Sequence, residues 1–192
     1  AHWEPFIEAY VQHMISEESP YTERSAQKKL AFILGVAAHG LQDELFDTLF
    51  LPLVHKHDGL GQDEADPGTD AFFHTDGYTR ESPLGDYPAT LLVDLYESAF
   101  DHEISEALLD QGITLTSSYI STIDSIARAF DSRLRSQMPW TVEHYDDPHV
   151  PGSLASEVPA TRAYMEAVCA RLHGQWSGAN PVIHAYPDEE GA

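Results

Sequence analysis

Three residues of one predicted helix have side chains that can bind a metal ion. His39, Asp43 and Asp47 are spaced i, i+4 and i+8, and because four residues turn an α-helix by about 400°, they are expected on nearly one face. A buried carboxylate is costly unless it is paired or metal-bound, and no Lys or Arg occurs between Lys29 and Lys56. Imidazole nitrogen with carboxylate oxygen suits zinc. The alternative is a solvated acidic stripe beside a hydrogen-bonded core histidine.

A second pair of donors follows about thirty residues later. Asp70 and His74 are again four residues apart, in the segment TDAFFHTDGY, and Asp76 follows closely. The intervening Phe72 and Phe73 indicate that this segment packs inward. Two His/Asp pairs, one on a long helix and one after a loop, predict a shared site for several metal ions. The alternative is that Asp70 caps a helix N-terminus and His74 lies at the surface.

Other residues that could carry chemistry have weaker support. His55 and His57 are expected to be solvated turn residues, with the mouth of a site as the alternative. His144 and His149 flank an acidic loop. Cys169 is predicted to be a small core residue rather than a nucleophile. The chain has no G-x-S-x-G motif, no phosphate-binding glycine loop and no dinucleotide-binding fingerprint.

Composition restricts the function further. The chain has 192 residues, with 10 Lys+Arg against 32 Asp+Glu, so its formal net charge is −22. Such a charge argues against nucleic-acid binding, because phosphate backbones are repelled. It also argues against electrostatic adhesion to anionic lipid, which leaves at most peripheral membrane contact. The longest apolar run, residues 30–38, is far shorter than the ~20 residues of a membrane-spanning helix.

The hydrophobic pattern is helical almost throughout. Helices are predicted at the following positions: 5–15, 25–51 with a continuation to 57 as an alternative, 70–78, 88–109, 117–137 and 161–176. Loops are predicted at 58–69 and 146–159, where Gly, Pro and Asp are frequent. Residues 30–38 are apolar on nearly every side, which is typical of a buried helix. The predicted fold class is therefore all-α, a multi-helix bundle around a buried central helix.

Two domain-level segments are predicted. Residues 1–178 form the helical domain, with enough hydrophobic residues (42% of the chain) to build one core. Residues 179–192 are either a linker or the first strand of a following module, because NPVIHAYPDEEGA is similar to the opening strand of bacterial immunoglobulin-like modules. A strand without partners is not stable alone, so the chain is expected to come from a multidomain protein.

The first quarter of the chain combines several motifs. It contains AHWEPF, a helix ending in QHMI, the spacer SPYTERSAQKKL, and the helix LAFILGVAAHGLQDELFD. This combination resembles the middle of the catalytic domain of the glycosylphosphatidylinositol-specific phospholipase D family, in the zinc-dependent phospholipase C group. That family has a His-Trp-x-Pro-Phe segment, a similar spacer and a Phe-x-x-Gly-x-x-x-His-x-x-x-Asp helix. The resemblance extends loosely to Tyr78 and beyond it only through helix content.

The resemblance implies an all-α zinc-dependent phospholipase C-like fold that holds two or three zinc ions. It implies that His2, in the entry segment, is a metal ligand, and that His39 and Asp43 are the helical ligand pair. Asp47 stands where the family usually has another histidine, which shifts the site toward oxygen donors. The family next has a histidine followed by a carboxylate, and here Asp70 and His74 reverse that order. Asp76 is the alternative for the carboxylate role.

The implied activity is hydrolysis of a phosphodiester in a phospholipid or lipid anchor, by a water molecule that zinc activates, in a secreted bacterial protein. The family also uses ligands upstream of the His-Trp segment that these 192 residues do not contain. We expect that the native chain continues upstream; the alternative is a reduced site. A different class of function is a catalytically silent helical interaction module with a structural metal or none. A metal-free bundle is the third hypothesis.

Overall fold

The computed structural model describes residues 4–78 and 87–175, with Ile123, Asp124 and Ile126 described through their backbone only. The described residues form eight α-helices and contain no strand, which confirms the predicted all-α class. None of the helices within these ranges has both the length and the apolar character needed to cross a bilayer. The helices are α1 (Glu4–His13), α2 (Arg24–Leu45), α3 (Leu51–Asp58), α4 (Gln62–Thr75), α5 (Ala89–Phe100), α6 (Glu106–Gln137), α7 (Pro139–His144) and α8 (Leu154–Leu172).

Two π-helical segments interrupt the α-helical geometry. Met14–Glu18 extends α1, and Phe46–Phe50 joins α2 to α3, so that residues 24–58 are helical without a break. The helix predicted at 25–51 therefore continues to Asp58, which confirms the alternative continuation to 57. Pro52 does not end it because it stands in the first turn of α3. The helix ends at Gly59, whose φ of 76° is the left-handed conformation that glycine adopts most easily.

The predicted loop 58–69 is wrong for most of its length, because α4 begins at Gln62. Gly61 is its N-cap residue, and the Glu64 carboxylate accepts a hydrogen bond from the Gly61 backbone N–H at 3.2 Å. Pro67 stands within the helix, at its sixth residue. A proline there removes only a hydrogen bond to the second helical residue, close to the frayed N-terminus. Glycine and proline frequency alone therefore misidentified this segment.

Further boundaries also differ from the predictions. The predicted helix 88–109 is divided, because α5 ends at Phe100 and Asp101 adopts a left-handed φ of 52°. α6 then begins at Glu106, eleven residues before its predicted start. α8 begins within the predicted loop 146–159 and contains Pro159, again at the sixth helical position. Residues 179–192 lie outside the described part of the chain.

The chain divides into two compact units. The first comprises the described residues of Ala1–Glu44, Asp86–Glu106 and Val158–Ala192, and the second those of Leu45–Gly85 and Ala107–Glu157. In the first unit α1 packs against α5, and the Phe6 and Tyr96 rings lie 5.8 Å apart. The buried hydrophobic side chains of this unit include Ile7, Tyr10, Val11, Met14, Leu91, Leu92, Leu95, Tyr164, Val168 and Leu172.

The apolar segment 30–38 of α2 is not the buried central helix that its sequence predicts. Within it only Ile33 and Ala37 are buried, while Ala31 and Gly35 are exposed and the other residues are half-buried. The two buried residues are one helical turn apart and therefore share one face. The core covers this face fully, and only the side of the segment that carries Ala31 and Gly35 is open to solvent.

The core of the second unit forms where α3 packs against α4 and α7. Its buried side chains are Phe50, Val54, Ala65, Phe72, Met138 and Tyr145. The turn before α8 closes over this core through Gly152, whose φ is +74°. A β-carbon at Gly152 would lie 2.5 Å from the Leu45 carbonyl oxygen and 2.6 Å from the Phe50 nitrogen, so only glycine allows this approach.

Candidate functional site

The first predicted pair of metal ligands lies on one regular helix. His39 and Asp43 are one turn apart on α2 and therefore share a face, as their spacing predicts. Both are exposed, and both belong to the first unit. The argument that a buried carboxylate here requires a cation is therefore wrong for Asp43, because water solvates an exposed carboxylate. His2, the ligand expected from the entry segment, lies outside the described residues.

Asp47 does not continue the pattern of His39 and Asp43. It lies in the π-helical segment Phe46–Phe50, where the hydrogen bonds span five residues instead of four. The register expected of an uninterrupted α-helix therefore does not apply to it. Asp47 is half-buried, belongs to the second unit, and accepts a hydrogen bond from the Gln62 side chain at 3.3 Å. This contact ties the π-helical segment to the start of α4.

Asp70 and His74 are one turn apart on α4, in the second unit, and both are half-buried. The Asp70 carboxylate accepts a hydrogen bond from the Tyr119 hydroxyl at 3.3 Å. The alternative that Asp70 caps a helix N-terminus is wrong, because α4 begins eight residues earlier. The flanking Phe72 is fully buried, which confirms that this segment packs inward.

Asp76, the alternative carboxylate, has protein partners for both of its oxygens. Its Oδ1 accepts a hydrogen bond from Arg135 Nη2 at 2.6 Å, and its Oδ2 accepts one from the Tyr145 hydroxyl. Arg135 also donates to Asp131 at 2.8 Å and lies 5.0 Å from the centre of the Phe72 ring. Asp76 is therefore paired with an arginine 59 residues away in sequence.

This network alters the acidity of two of its members. Burial raises the pKa of Tyr145 well above its usual value, and the hydrogen bond to Asp76 raises it further. Burial alone would lower the pKa of Arg135, but the hydrogen bonds to Asp131 and Asp76 outweigh that effect and raise it. Tyr145 therefore remains a hydroxyl donor and Arg135 remains a cation, so the network acts as a structural tie.

The predicted ligands do not form a complete metal site within the described residues. Throughout 4–78 and 87–175, no three His, Cys, Asp or Glu side chains are grouped so that they could hold a metal ion. The pair His39 and Asp43 and the pair Asp70 and His74 each supply two donors. A zinc site in a protein takes three or four protein ligands. Each pair alone is therefore an incomplete ligand set for zinc.

Sequence reasoning missed a polar contact between the end of α3 and the start of α7. The Asp58 carboxylate accepts hydrogen bonds from the backbone N–H groups of Trp140 and Thr141, at 3.0 and 2.9 Å, and from the Thr141 hydroxyl at 2.7 Å. It thus caps α7 in place of the helix's own N-cap residue, Met138, which has no capping side chain. Pro139 at the first helical position was the only local sign of this helix start.

Two histidines stack on a tryptophan. His57 was expected in a solvated turn but stands in α3, and His144, noted only as flanking an acidic loop, ends α7. The rings of His57 and Trp140 lie 4.8 Å apart with an interplanar angle of 13°, and those of Trp140 and His144 lie 4.6 Å apart at 12°. The His144 Nδ1 lies 2.8 Å from the Trp140 carbonyl oxygen, to which it donates as an N–H. His57 is exposed, as predicted, but its ring lies on a protein surface rather than in bulk water.

The first unit contains a buried cation of its own. Arg171 on α8 is only 7% exposed, and its Nη1 donates to Glu4 Oε1 at 3.0 Å, while Nη2 pairs with Glu8. The Tyr164 hydroxyl donates to the other Glu4 oxygen at 3.0 Å. This cluster joins α1 to α8. Cys169, predicted to be a core residue, is half-buried on the same helix.

Comparison with known proteins adds no relative to this description. No protein-family model matches the chain, and no curated protein or solved structure does either.

Proposed function

We propose that this chain acts as a zinc-dependent hydrolase of phosphodiesters, with a phospholipid or lipid anchor as its substrate. The observation that carries the proposal is the placement of His39 and Asp43 on one exposed face of α2. An exposed pair can be reached by a metal ion and by a substrate from solvent. The combined motif around these residues, with the all-α fold class, supports the same proposal.

The roles of the individual residues follow from the chemistry of the donors. His39 offers an imidazole nitrogen and Asp43 a carboxylate oxygen, both of which suit zinc. Two donors are fewer than a zinc site requires, and His2 is the proposed third ligand on the evidence of the motif AHWEPF. His39 and Asp43 are thus proposed as binding residues and not as catalytic ones.

The charge of the chain restricts the substrate surface. With a formal charge of −22, the protein is repelled by anionic bilayers, so we propose peripheral contact with zwitterionic lipid. We further propose that the protein is secreted by a bacterium and that an immunoglobulin-like module follows this chain. Both proposals rest on the sequence resemblance alone.

Zinc binding provides the primary test. Calorimetric titration with zinc, followed by metal analysis after dialysis, should show at least one ion bound per chain. His39→Ala should lower the affinity at least tenfold, whereas His55→Ala, which removes another exposed helical histidine, should not. Asp43→Asn should likewise weaken binding, with Asp94→Asn on the exposed surface of α5 as its control. Equal zinc affinity in His39→Ala and His55→Ala would contradict the proposal.

Catalysis needs a separate assay. Zinc-loaded protein should release p-nitrophenol from bis(p-nitrophenyl) phosphate and cleave phosphatidylcholine in vesicles. Activity should disappear in His39→Ala and on treatment with a chelator.

A specific observation favours the alternative, a catalytically silent helical interaction module. The carboxylates of Asp47, Asp70 and Asp76 all accept hydrogen bonds from other protein groups. Carboxylates with such partners stabilise contacts between helices without any metal. Stoichiometric zinc binding without hydrolysis would support this alternative over the hydrolase.

A further inference from the structure

Two imidazole rings share one indole ring in the second unit. His57 stands in the last turn of α3, His144 is the last residue of α7, and both lie nearly parallel to the ring of Trp140. We refer to these three side chains as the imidazole–indole stack. The proposed function does not involve them, and none of the proposed metal ligands belongs to the stack.

Protonation changes the strength of such a stack. Histidine is the side chain that ordinarily gains a proton between about pH 8 and about pH 5. A protonated imidazole above an indole ring makes a cation–π contact, which is stronger than the contact of the neutral ring.

We propose that the imidazole–indole stack is a pH-responsive clasp between α3 and α7, which tightens when its histidines gain protons. Of its two contacts, that of His57 with Trp140 joins the two helices, and that of His144 with Trp140 lies within α7 and holds the indole ring in position. The N–H of His144 Nδ1 is already fixed on the Trp140 carbonyl oxygen at 2.8 Å. The imidazole therefore takes up its proton at Nε2 and keeps its orientation. The Asp58 carboxylate, at the end of α3, accepts a hydrogen bond from the Trp140 backbone N–H and so holds the start of α7 in place.

Charged and titratable side chains lie on the elements that pack around the stack. α3 also packs against the π-helical segment and α4. The charged and titratable side chains on these elements and on α7 are Asp47, His55, Lys56, Asp58, Asp63, Glu64, Asp66, Asp70, His74 and Glu143. A positive charge on either stacked ring is opposed by Lys56, by any protonated histidine nearby and by the other stacked ring once it is protonated. The carboxylates outnumber these cations, and Asp58 is in direct contact with the Trp140 backbone.

Paired double variants test the clasp. The test variant is His57→Gln/His144→Gln, and the matched control is His55→Gln/His149→Gln, which removes two exposed histidines from the same regions. Urea unfolding of each protein is measured at about pH 8 and about pH 5.5 with a chelator present. Acidification should raise the folding equilibrium constant of the control by a factor about five to thirty times larger than the factor for the test variant. Equal effects of acidification on the two variants would overturn the proposal.

Fluorescence reports the stack directly. Trp3→Phe and Trp176→Phe leave Trp140 as the only tryptophan of the chain. Because protonated imidazole quenches indole emission on contact, the emission of folded protein should fall as the pH falls. The fall should persist when His55→Gln/His149→Gln is added and disappear when His57→Gln/His144→Gln is added. Equal quenching in these two backgrounds would contradict the clasp. Zinc binding can succeed or fail in the earlier test without affecting this result.

Discussion

Gly152 lies against the backbone of Phe50 so closely that a β-carbon at Gly152 would stand 2.6 Å from the Phe50 nitrogen. Phe50 is the last residue of the π-helical segment that joins α2 to α3, and its side chain is fully buried. The turn before α8 thus rests on the one part of this long helical run whose hydrogen-bond geometry is irregular. Glycine is required at position 152 because the atoms nearest to a β-carbon there, the Leu45 carbonyl oxygen and the Phe50 nitrogen, belong to the backbone and cannot move aside.

Gly152→Ala should therefore destabilise the second unit by about 2–5 kcal/mol. The left-handed φ and the contact with the backbone both contribute to this cost. Gly59→Ala is the matched control, because Gly59 has a similar φ of +76° but nothing within 4 Å of a β-carbon. It should cost about 1 kcal/mol. Urea unfolding measures both values, and equal costs would show that the close approach has no energetic importance.

Asp58→Ala should cost about 2–4 kcal/mol of unfolding free energy. The substitution removes the carboxylate that accepts from the N–H groups of Trp140 and Thr141 and leaves the N-terminus of α7 without a cap. Asp58→Asn should cost less, because asparagine retains one oxygen acceptor. Asp63→Ala, at an exposed position in the first turn of α4, is the control and should change stability by less than about 1 kcal/mol. A similar loss for Asp58→Ala and Asp63→Ala would argue against this cap.

Alkaline pH should weaken the fold through Tyr145. Its pKa is raised in the folded state, so above about pH 10 the folded protein holds a proton that the unfolded chain has lost. Stability then falls as the pH rises, by about 1.4 kcal/mol per pH unit for one such proton. Tyr145→Phe should reduce this slope between about pH 10 and about pH 11.5, whereas Tyr96→Phe, outside the network, is the control. An unchanged slope in Tyr145→Phe would show that another group causes the loss.

Arg171→Ala should destabilise the first unit by about 2–4 kcal/mol. The substitution removes the guanidinium that Glu4 and Glu8 share, at a position where the arginine side chain is 8% exposed. Arg162→Ala on the same helix is the control, because its ion pair with Glu166 is 79% and 66% exposed. It should change stability by less than about 1 kcal/mol. Thermal unfolding of both variants checks this, and equal shifts in melting temperature would contradict the importance of burial.

Features that depend on neighbours in the chain could be predicted from the sequence. Most helices of the described residues follow from local hydrophobic periodicity, although α7 and the first half of α4 were not predicted. The shared face of His39 and Asp43 follows from their spacing on a regular helix. The loop predicted at 58–69 was wrong because glycine can cap a helix and proline is tolerated in its first turns, as Gly61 and Pro67 show in α4. The π-helical segment at Phe46–Phe50 has no sequence pattern that sets it apart from an α-helix.

The exposure of individual side chains and the partners of polar groups could not be predicted in the same way. Residues 30–38 are apolar on nearly every side, and only contacts with other helices decide that Ile33 is buried and Gly35 is not. The partner of Asp76 is Arg135, 59 residues away, and the helix that Asp58 caps begins about 80 residues later. The sequence by itself determined the helical class, the acidic charge and the spacing of the donor residues, because these are local properties of the chain. The tertiary structure alone decided which polar groups meet, because that depends on contacts between residues far apart in sequence.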